Sequence, residues 1–238
     1  MQFKRTGDAA GVWHHVTNRG IARRTVFEHE RDVRFFLSRV AYAVRAGWIE
    51  VHAYSIMTTH FHLLVRSREV GLSHAMARVL NDYVRWFNRG RKRDGALFRG
   101  RYQSRVVDSI EYRRAVVRYI DANAVQARMA PTPALYPHCS AARYARTQGP
   151  RWLARAWVEA EVRRSQALAS YDPRAYPTTF DGEVAAGLVR VIEQRVARPS
   201  CTHDPLAELI EAAPQRVLEW MRRKAALADG TEIDLPVC

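Results

Sequence analysis

Residues 48–57 and 61–66 are two stretches rich in strand-forming side chains, and only residues 58–60, which include the short connection Thr58-Thr59, separate them. A parallel pair of strands would need a long crossover connection between them. Two strand-like stretches joined by so short a link therefore predict an antiparallel hairpin. This hairpin restricts the chain to folds that contain an antiparallel sheet.

Helical and strand-like stretches alternate on both sides of the hairpin. Asp108, with Glu111 three residues later, predicts the start of one of the helices. The other predicted elements are strands over 12–18 and 96–98 and helices over 31–46, 72–89 and 110–123. The order strand, helix, strand, strand, helix, strand, helix predicts an α+β fold, with an antiparallel sheet backed by helices.

Prolines and a glycine indicate a linker-like region after the last of these helices. These residues are Pro131, Pro133, Pro137, Gly149 and Pro150. Further helical patterns cover residues 151–169, residues 183–197 and a stretch that begins at Asp204. We therefore expect a first domain over residues 1–148 and a helical C-terminal extension over residues 149–238.

The charge of the chain is strongly positive and unevenly distributed. The net charge is +14 and the isoelectric point is near 10.4. Residues 1–150 hold 26 basic and 11 acidic side chains, a net charge of +15, whereas residues 151–238 have a net charge of −1. Such a balance favours a polyanionic partner, nucleic acid above all. The arginine-rich composition can also reflect a GC-rich genome or a basic surface that only promotes solubility.

Several other classes of protein are disfavoured. No run of apolar residues is long enough for a transmembrane helix, and the N-terminus has no apolar signal region. Cys139, Cys201 and Cys238 form no CxxC pair, so a reducing cytoplasm is the expected location. Gly90 and Gly95 have the spacing of a phosphate-binding loop, but Ala96 stands where the lysine belongs, so no nucleotide cofactor is expected.

His60 and His62 are separated by one residue on the second strand of the hairpin. Side chains at i and i+2 of a strand point to the same face. We therefore expect both imidazoles on one side of the sheet, while Phe61, Leu63 and Val65 face the core. Two histidines in this arrangement can bind one divalent metal ion. Because the chain has nine histidines, the spacing can also arise by chance.

Tyr119 and Asn123 lie four residues apart on the helix predicted over 110–123 and therefore share one face. A tyrosine phenol can attack phosphorus to form a phosphotyrosine, and an amide oxygen suits Mg²⁺ or Mn²⁺. Because the phenol ordinarily has a pKa of about 10, a nearby cation has to assist it. Three other tyrosines have an apolar residue four positions later and are interpreted as core residues: Tyr42, Tyr83 and Tyr112.

Four segments of the chain, in this order, resemble a known family. They are residues 15–20 (HVTNRG), 53–64 (AYSIMTTHFHLL), 97–102 (LFRGRY) and 117–125 (VRYIDANAV). They closely resemble the HUH-type single-tyrosine transposases, in particular the branch of REP-associated tyrosine transposases. The resemblance covers about residues 12–145. It implies a ferredoxin-like, RRM-like sheet, and Mg²⁺-dependent cleavage and rejoining of single-stranded DNA near short imperfect hairpins.

The resemblance also implies roles for individual residues. His60, His62 and Asn123 correspond to the metal ligands, and Tyr119 corresponds to the nucleophile. The family's usual Pro-Asn before the first histidine is replaced by two threonines, and its usual Asn-Pro is replaced by Asn123 followed by Ala124. Neither departure removes a catalytic group, and the second lets the helix continue past Asn123.

The sequence thus predicts a DNA transposase or endonuclease that transfers single strands through a 5′-phosphotyrosine intermediate. Arg99, Arg101 and Arg105 would line one strand face, where they either grip phosphates or form a solvated basic edge. Arg19 completes the set expected to contact DNA. A non-catalytic DNA-hairpin-binding regulator derived from a transposase is the alternative, and an RRM-like RNA binder is a third interpretation. The sequence leaves open whether the protein is a monomer or a homodimer.

Overall fold

Four antiparallel strands form one sheet in the centre of the chain. The computed structural model describes residues 9–69 and 71–180, together with residues 182, 184, 189 and 192. The strands are β1 (Trp13–Arg19), β2 (Ile49–Ile56), β3 (His60–Ser67) and β4 (Gln103–Val106). They lie in the order β2-β3-β1-β4, so β3 and β1 are the central strands.

Helices connect the strands and continue after them. They are α1 (Glu30–Arg45), α2 (Leu72–Gly90), α3 (Ile110–Gln126), α4 (Ala141–Tyr144), α5 (Ala156–Ser165) and α6 (Ala175–Phe180), with short 3₁₀ turns at Ile21–Arg23 and Pro133–Leu135. The βαββαβ order with this arrangement of strands is ferredoxin-like, which confirms the predicted α+β fold. Within the described residues, no helix has the length and apolar character needed to cross a membrane.

The two faces of the sheet are covered by different helices. Phe61 on β3 packs against Phe36 of α1, with ring centroids 4.8 Å apart, and Tyr83 of α2 contacts Phe36 in turn. The next residue of the strand, His62, contacts Tyr119 of α3. Because successive side chains of a strand point to opposite faces, α1 and α2 cover one face and α3 covers the other.

The predicted strand over 96–98 does not form. Phe98 makes only an isolated bridge with Gly20, and β4 begins at Gln103. Leu97 and Phe98 are buried, so their strand-like composition reflects anchoring in the core and not pairing along a strand.

The start of α3 also differs from the prediction. Ser109, and not Asp108, is the N-cap, and its side-chain oxygen accepts a hydrogen bond from the backbone N–H of Tyr112 at 3.0 Å. A cap acts on the N–H groups two or three residues later, and the helix starts at Ile110. The helix ends at Gln126, beyond Asn123, in agreement with the absence of a proline after Asn123.

The first helix of the C-terminal part begins later than the pattern over 151–169 predicts. Leu153 forms a bridge with Val51 of β2, and the N–H of Ala154 donates to the carbonyl of Val51 at 2.8 Å. These contacts hold residues 153 and 154 against the edge of the sheet, so α5 starts only at Ala156. The helix predicted over 183–197 falls almost wholly outside the described residues, and the one predicted from Asp204 falls entirely outside them.

Tyrosine hydroxyls attach residues 131–180 to the sheet and to α3. Tyr136 donates to the carbonyl of Ile56 at 2.6 Å, and Tyr144 donates to that of His52 at 2.7 Å. Tyr176 of α6 donates to Oδ2 of Asp121 at 2.7 Å. Residues on both sides of the domain boundary predicted at 148 therefore pack on the same sheet and helix.

Asp121 is a buried carboxyl on α3, 3% exposed. It accepts hydrogen bonds from Tyr176 and from the thiol of Cys139, whose sulfur lies 3.3 Å from Oδ1. Burial raises the pKa of Asp121 to about 7, although both hydrogen bonds act to lower it. Burying this carboxyl group costs free energy unless hydrogen bonds satisfy its oxygens. The contact between α6 and α3 therefore depends on the hydrogen bonds that Asp121 accepts.

Tyr176→Phe is expected to destabilise the protein by about 1–3 kcal/mol, because it leaves Oδ2 of buried Asp121 without its donor. Tyr42→Phe is the matched control, since Tyr42 is 41% exposed and its substitution should change stability by less than about 0.5 kcal/mol. Urea unfolding of both variants measures the difference. Equal midpoints and slopes for the two variants would contradict the assigned role of the Tyr176 hydroxyl.

Candidate active site

β3 carries His60 and His62 on the face of the sheet that α3 covers. Their ring centroids are 5.1 Å apart and their planes are perpendicular. The predicted shared face is therefore observed. The expectation that this face points away from the core is wrong for His62, which is 6% exposed, because α3 lies over it.

α3 brings Tyr119 and Asn123 to these histidines. The ring of Tyr119 meets that of His62 edge to face, with centroids 5.4 Å apart. Asn123 Nδ2 donates to the backbone carbonyl of Tyr119 at 2.7 Å, and the Asn123 side chain also forms a hydrogen bond with His60. The four residues that the sequence singled out thus come together between β3 and α3.

A third histidine, His15 of β1, joins the group. Its Nε2 lies 3.0 Å from Nδ1 of His62, within hydrogen-bond distance, and the two rings are stacked. Its ring also contacts that of Tyr119, with centroids 5.8 Å apart. The sequence offered no role for His15, because only the register that pairs Thr17 with His62 reveals which β1 residues lie beside the histidines of β3.

All three histidines are held in the neutral form. Burial lowers the pKa of His15 to about 4, with a further contribution from the charge of Arg105. Burial and then Arg19 lower the pKa of His60 to about 4, against the opposing effect of its hydrogen bond with Asn123. The pKa of His62 lies well below its ordinary value, first because of burial and then because protonation of His62 would place its charge beside His15, His60 and Arg19. Neutral imidazoles keep the lone pair that a metal ligand needs.

Hydrogen bonds engage Nδ1 of each of the two strand histidines. Nδ1 of His62 lies 3.0 Å from Nε2 of His15, and Nδ1 of His60 lies 3.0 Å from Oγ1 of Thr59. Within the described residues no cluster of three or more His, Cys, Asp or Glu side chains is arranged to hold a metal. His60, His62 and the amide oxygen of Asn123 are the donors that a metal ion here would use. Two imidazoles and one amide oxygen can hold a divalent ion, with substrate or water oxygens as the remaining ligands.

The arginines expected to contact DNA do not all lie on one strand. Arg105 is on β4 opposite His15, and Arg19 ends β1 opposite His60. Arg99 and Arg101 are exposed and precede β4, so the prediction that they share a strand face with Arg105 is wrong. Leu97 and Phe98, buried just before them, hold this stretch out of the strand.

The other tyrosines differ in their surroundings. Tyr83 is fully buried and its hydroxyl donates to the carbonyl of Val26, which confirms its place in the core. Tyr42 is 41% exposed and contacts Trp48 at the surface, so its assignment to the core is wrong. Tyr112 is half-buried on α3.

A ferredoxin-like sheet thus carries paired histidines on the face that a helical tyrosine covers, and sequence comparison adds to this observation. Residues 9–123 match the family model described as "Transposase IS200 like". This range contains all four residues of the site and ends at Asn123. The part of the chain that forms the candidate site is thus similar to the IS200-like transposases.

The structure of a REP-associated tyrosine transposase bound to a REP hairpin is similar over 65% of this chain and 91% of that chain, with 15% sequence identity and a TM-score of 0.48. A comparison with curated proteins gave no match.

His15→Phe is expected to weaken the binding of Mn²⁺ about 10–100-fold, as is usual when the partner that orients a ligating histidine is removed. Phenylalanine keeps the stacked ring but cannot bond with Nδ1 of His62. Calorimetric titration of the DNA-free protein with Mn²⁺ measures the affinity. His74→Phe is the control, because His74 is an exposed histidine on α2. An unchanged affinity in His15→Phe would show that His62 needs no such partner.

Proposed function

We propose that this protein is a metal-dependent transposase or endonuclease that cleaves and rejoins single-stranded DNA through a 5′-phosphotyrosine intermediate. The observation that carries the proposal is the convergence of Tyr119 and Asn123 with His60 and His62 between β3 and α3. The match of residues 9–123 to the family model of IS200-like transposases also supports it.

Tyr119 is the proposed nucleophile. Its Oη attacks the scissile phosphorus, one P–O bond forms to the tyrosine, and the bond to the 3′-oxygen breaks. The phenol proton is lost to solvent, and the departing 3′-oxygen takes up a proton. One phosphodiester is exchanged for another, so the step is reversible and needs no nucleoside triphosphate.

His60, His62 and Asn123 are the proposed metal ligands. A divalent ion held by these residues would neutralise negative charge on the phosphate and would lower the barrier to attack by the phenol. His15 fixes the ring of His62: for Nε2 of His62 to keep its lone pair, Nδ1 has to carry the proton and donate it to Nε2 of His15.

The proposed substrate is single-stranded DNA next to a short imperfect hairpin of the REP type. Support comes from the four sequence segments that resemble the REP-associated branch, and from the net charge of +15 in residues 1–150. Arg19 and Arg105 are placed to meet phosphates beside the histidines. A non-catalytic hairpin-binding regulator would make no use of a tyrosine held against His15 and His62.

Tyr119→Phe is expected to abolish covalent attachment of DNA and to leave DNA affinity within about twofold, because only the nucleophilic oxygen is removed. The assay uses a pool of 3′-labelled single-stranded oligonucleotides with different imperfect hairpins. Label that stays on the protein in a denaturing gel reports the adduct. Tyr112→Phe on the same helix is the control and should form adduct normally. Adduct formation by Tyr119→Phe would mean that another residue is the nucleophile.

Removal of the metal is expected to stop the same reaction. EDTA should abolish adduct formation, and added Mg²⁺ or Mn²⁺ should restore it. His60→Ala should lower the rate at least about 100-fold without rescue by excess Mg²⁺, since one ligand is lost. His74→Ala is the control for loss of a histidine. Full activity of the wild-type protein in EDTA would exclude a metal-dependent step.

A further inference from the structure

The last residue of β1 and two loops beside the candidate site together carry five exposed arginines, which we call the basic rim. One loop follows β1 and the other precedes β4. The basic rim consists of Arg19, Arg23, Arg24, Arg99 and Arg101. Of these residues, Arg23 and Arg24 have no role in the function proposed above.

Backbone hydrogen bonds join the two loops. The N–H of Ile21 donates to the carbonyl of Leu97 at 3.1 Å, and the N–H of Arg99 donates to the carbonyl of Arg19 at 2.9 Å. Gly20 and Phe98 form a β-bridge between these bonds. The five guanidinium groups are therefore carried by one connected surface.

The basic rim begins at the candidate site. Arg19 lies opposite His60 in the pairing of β1 with β3. The N–H of Gly20 donates to the carbonyl of Thr59, and that of Val26 donates to the carbonyl of Thr58, both at 2.8 Å. The loop from 20 to 26 is thus tied at both ends to the two residues that precede His60.

The middle of this loop has an unusual backbone. Ala22 and Arg23 have positive φ values of 51° and 58°, a conformation that costs non-glycine residues roughly 1–2 kcal/mol each. The fixed ends of the loop impose it: a Cβ on Gly20 would collide with the carbonyl oxygen of Arg24, and Val26 is fully buried. A strained backbone conformation persists only where the surrounding contacts enforce it, and such conformations are common at functional sites. Here it holds Arg23 and Arg24 on an exposed turn.

No carboxylate neutralises the basic rim. None of its five arginines forms an ion pair within the part of the chain that the structure describes. The carboxylates that follow the loop, Glu28 and Asp32, are both bound by Arg91 at 2.7 Å. Clustered like charges destabilise a folded protein and favour a polyanionic ligand.

We propose that the basic rim binds the phosphates of the single-stranded DNA that flanks the cleaved bond, with the strained turn adding Arg23 and Arg24 to the contact surface. The proposal rests on the proposed function for the identity of the ligand. It requires no chemistry at Tyr119, so binding alone tests it.

The test measures binding of fluorescein-labelled dT20 by anisotropy across a range of KCl concentrations, with Arg23→Gln, Arg24→Gln and the double variant. Each contact with a single-stranded phosphate contributes about 0.7 to the slope of log affinity against log salt, which corresponds to about fivefold in affinity at 0.1 M salt. Each single variant should therefore bind about fivefold more weakly at 0.1 M KCl. The double variant should lose about 1.4 from the slope.

Arg45→Gln is the control for charge alone. Arg45 is exposed at the end of α1 that leads into β2, so it lies at the opposite end of the sheet from His60, and its variant should bind within about twofold of wild type. Arg23→Lys with Arg24→Lys keeps the charges and should restore the salt slope.

The proposal is overturned if the glutamine variants bind like Arg45→Gln, or if the lysine variant is as weak as the double glutamine variant. Tighter binding of rU20 than of dT20 through the same two arginines would replace DNA by RNA as the ligand and would also overturn it. Failure of the wild-type protein to form a DNA adduct would count against the proposed function. It would not affect the conclusion about the basic rim, which depends only on how DNA binding varies with salt concentration.

Discussion

The antiparallel pairing of β1 with β3 is the constraint on which both the core and the candidate site depend. It runs without a break from Trp13 opposite Arg66 to Arg19 opposite His60. On β3, Phe61 enters the apolar layer under α1 and α2, while His62 lies under α3. A slip by one residue would exchange these two sets of side chains. The same backbone hydrogen bonds therefore hold the core together and set the spacing of the histidines.

The second constraint is the orientation of α3 about its own axis, which decides which of its side chains face the sheet. Tyr119 and Asn123 share one face, and Asp121 lies about 200° around the helix from Tyr119. Asp121 is bound from that side by Tyr176 and Cys139. Bonds on one side of the helix thus fix the direction of the side chains on the other. Residues 131–180 contribute in this way to a site that contains none of them.

Local periodicity accounts for the parts of the site that the sequence predicted. The period of two along β3 placed His60 and His62 on one face, and the period of 3.6 along α3 placed Tyr119 with Asn123. The role of His15 could not be predicted, because it depends on the register between strands 45 residues apart. The wrong prediction that Arg99 and Arg101 lie on a strand has a similar origin. The chain before β4 is held by Asn18, whose Nδ2 donates to the carbonyl of Gly100 at 3.1 Å, and this contact joins residues far apart in the sequence.

The sequence by itself determined the order of the elements, the antiparallel hairpin, the basic character of the first 150 residues and the residue types that the chemistry requires. Each of these follows from composition or from spacing within one element. Only the tertiary structure decided that α3 covers the histidine face, that His15 contacts His62, and that the loops around Gly20 and Phe98 join into one basic surface. These contacts are between residues far apart in the chain, and they arise from burying both faces of one sheet.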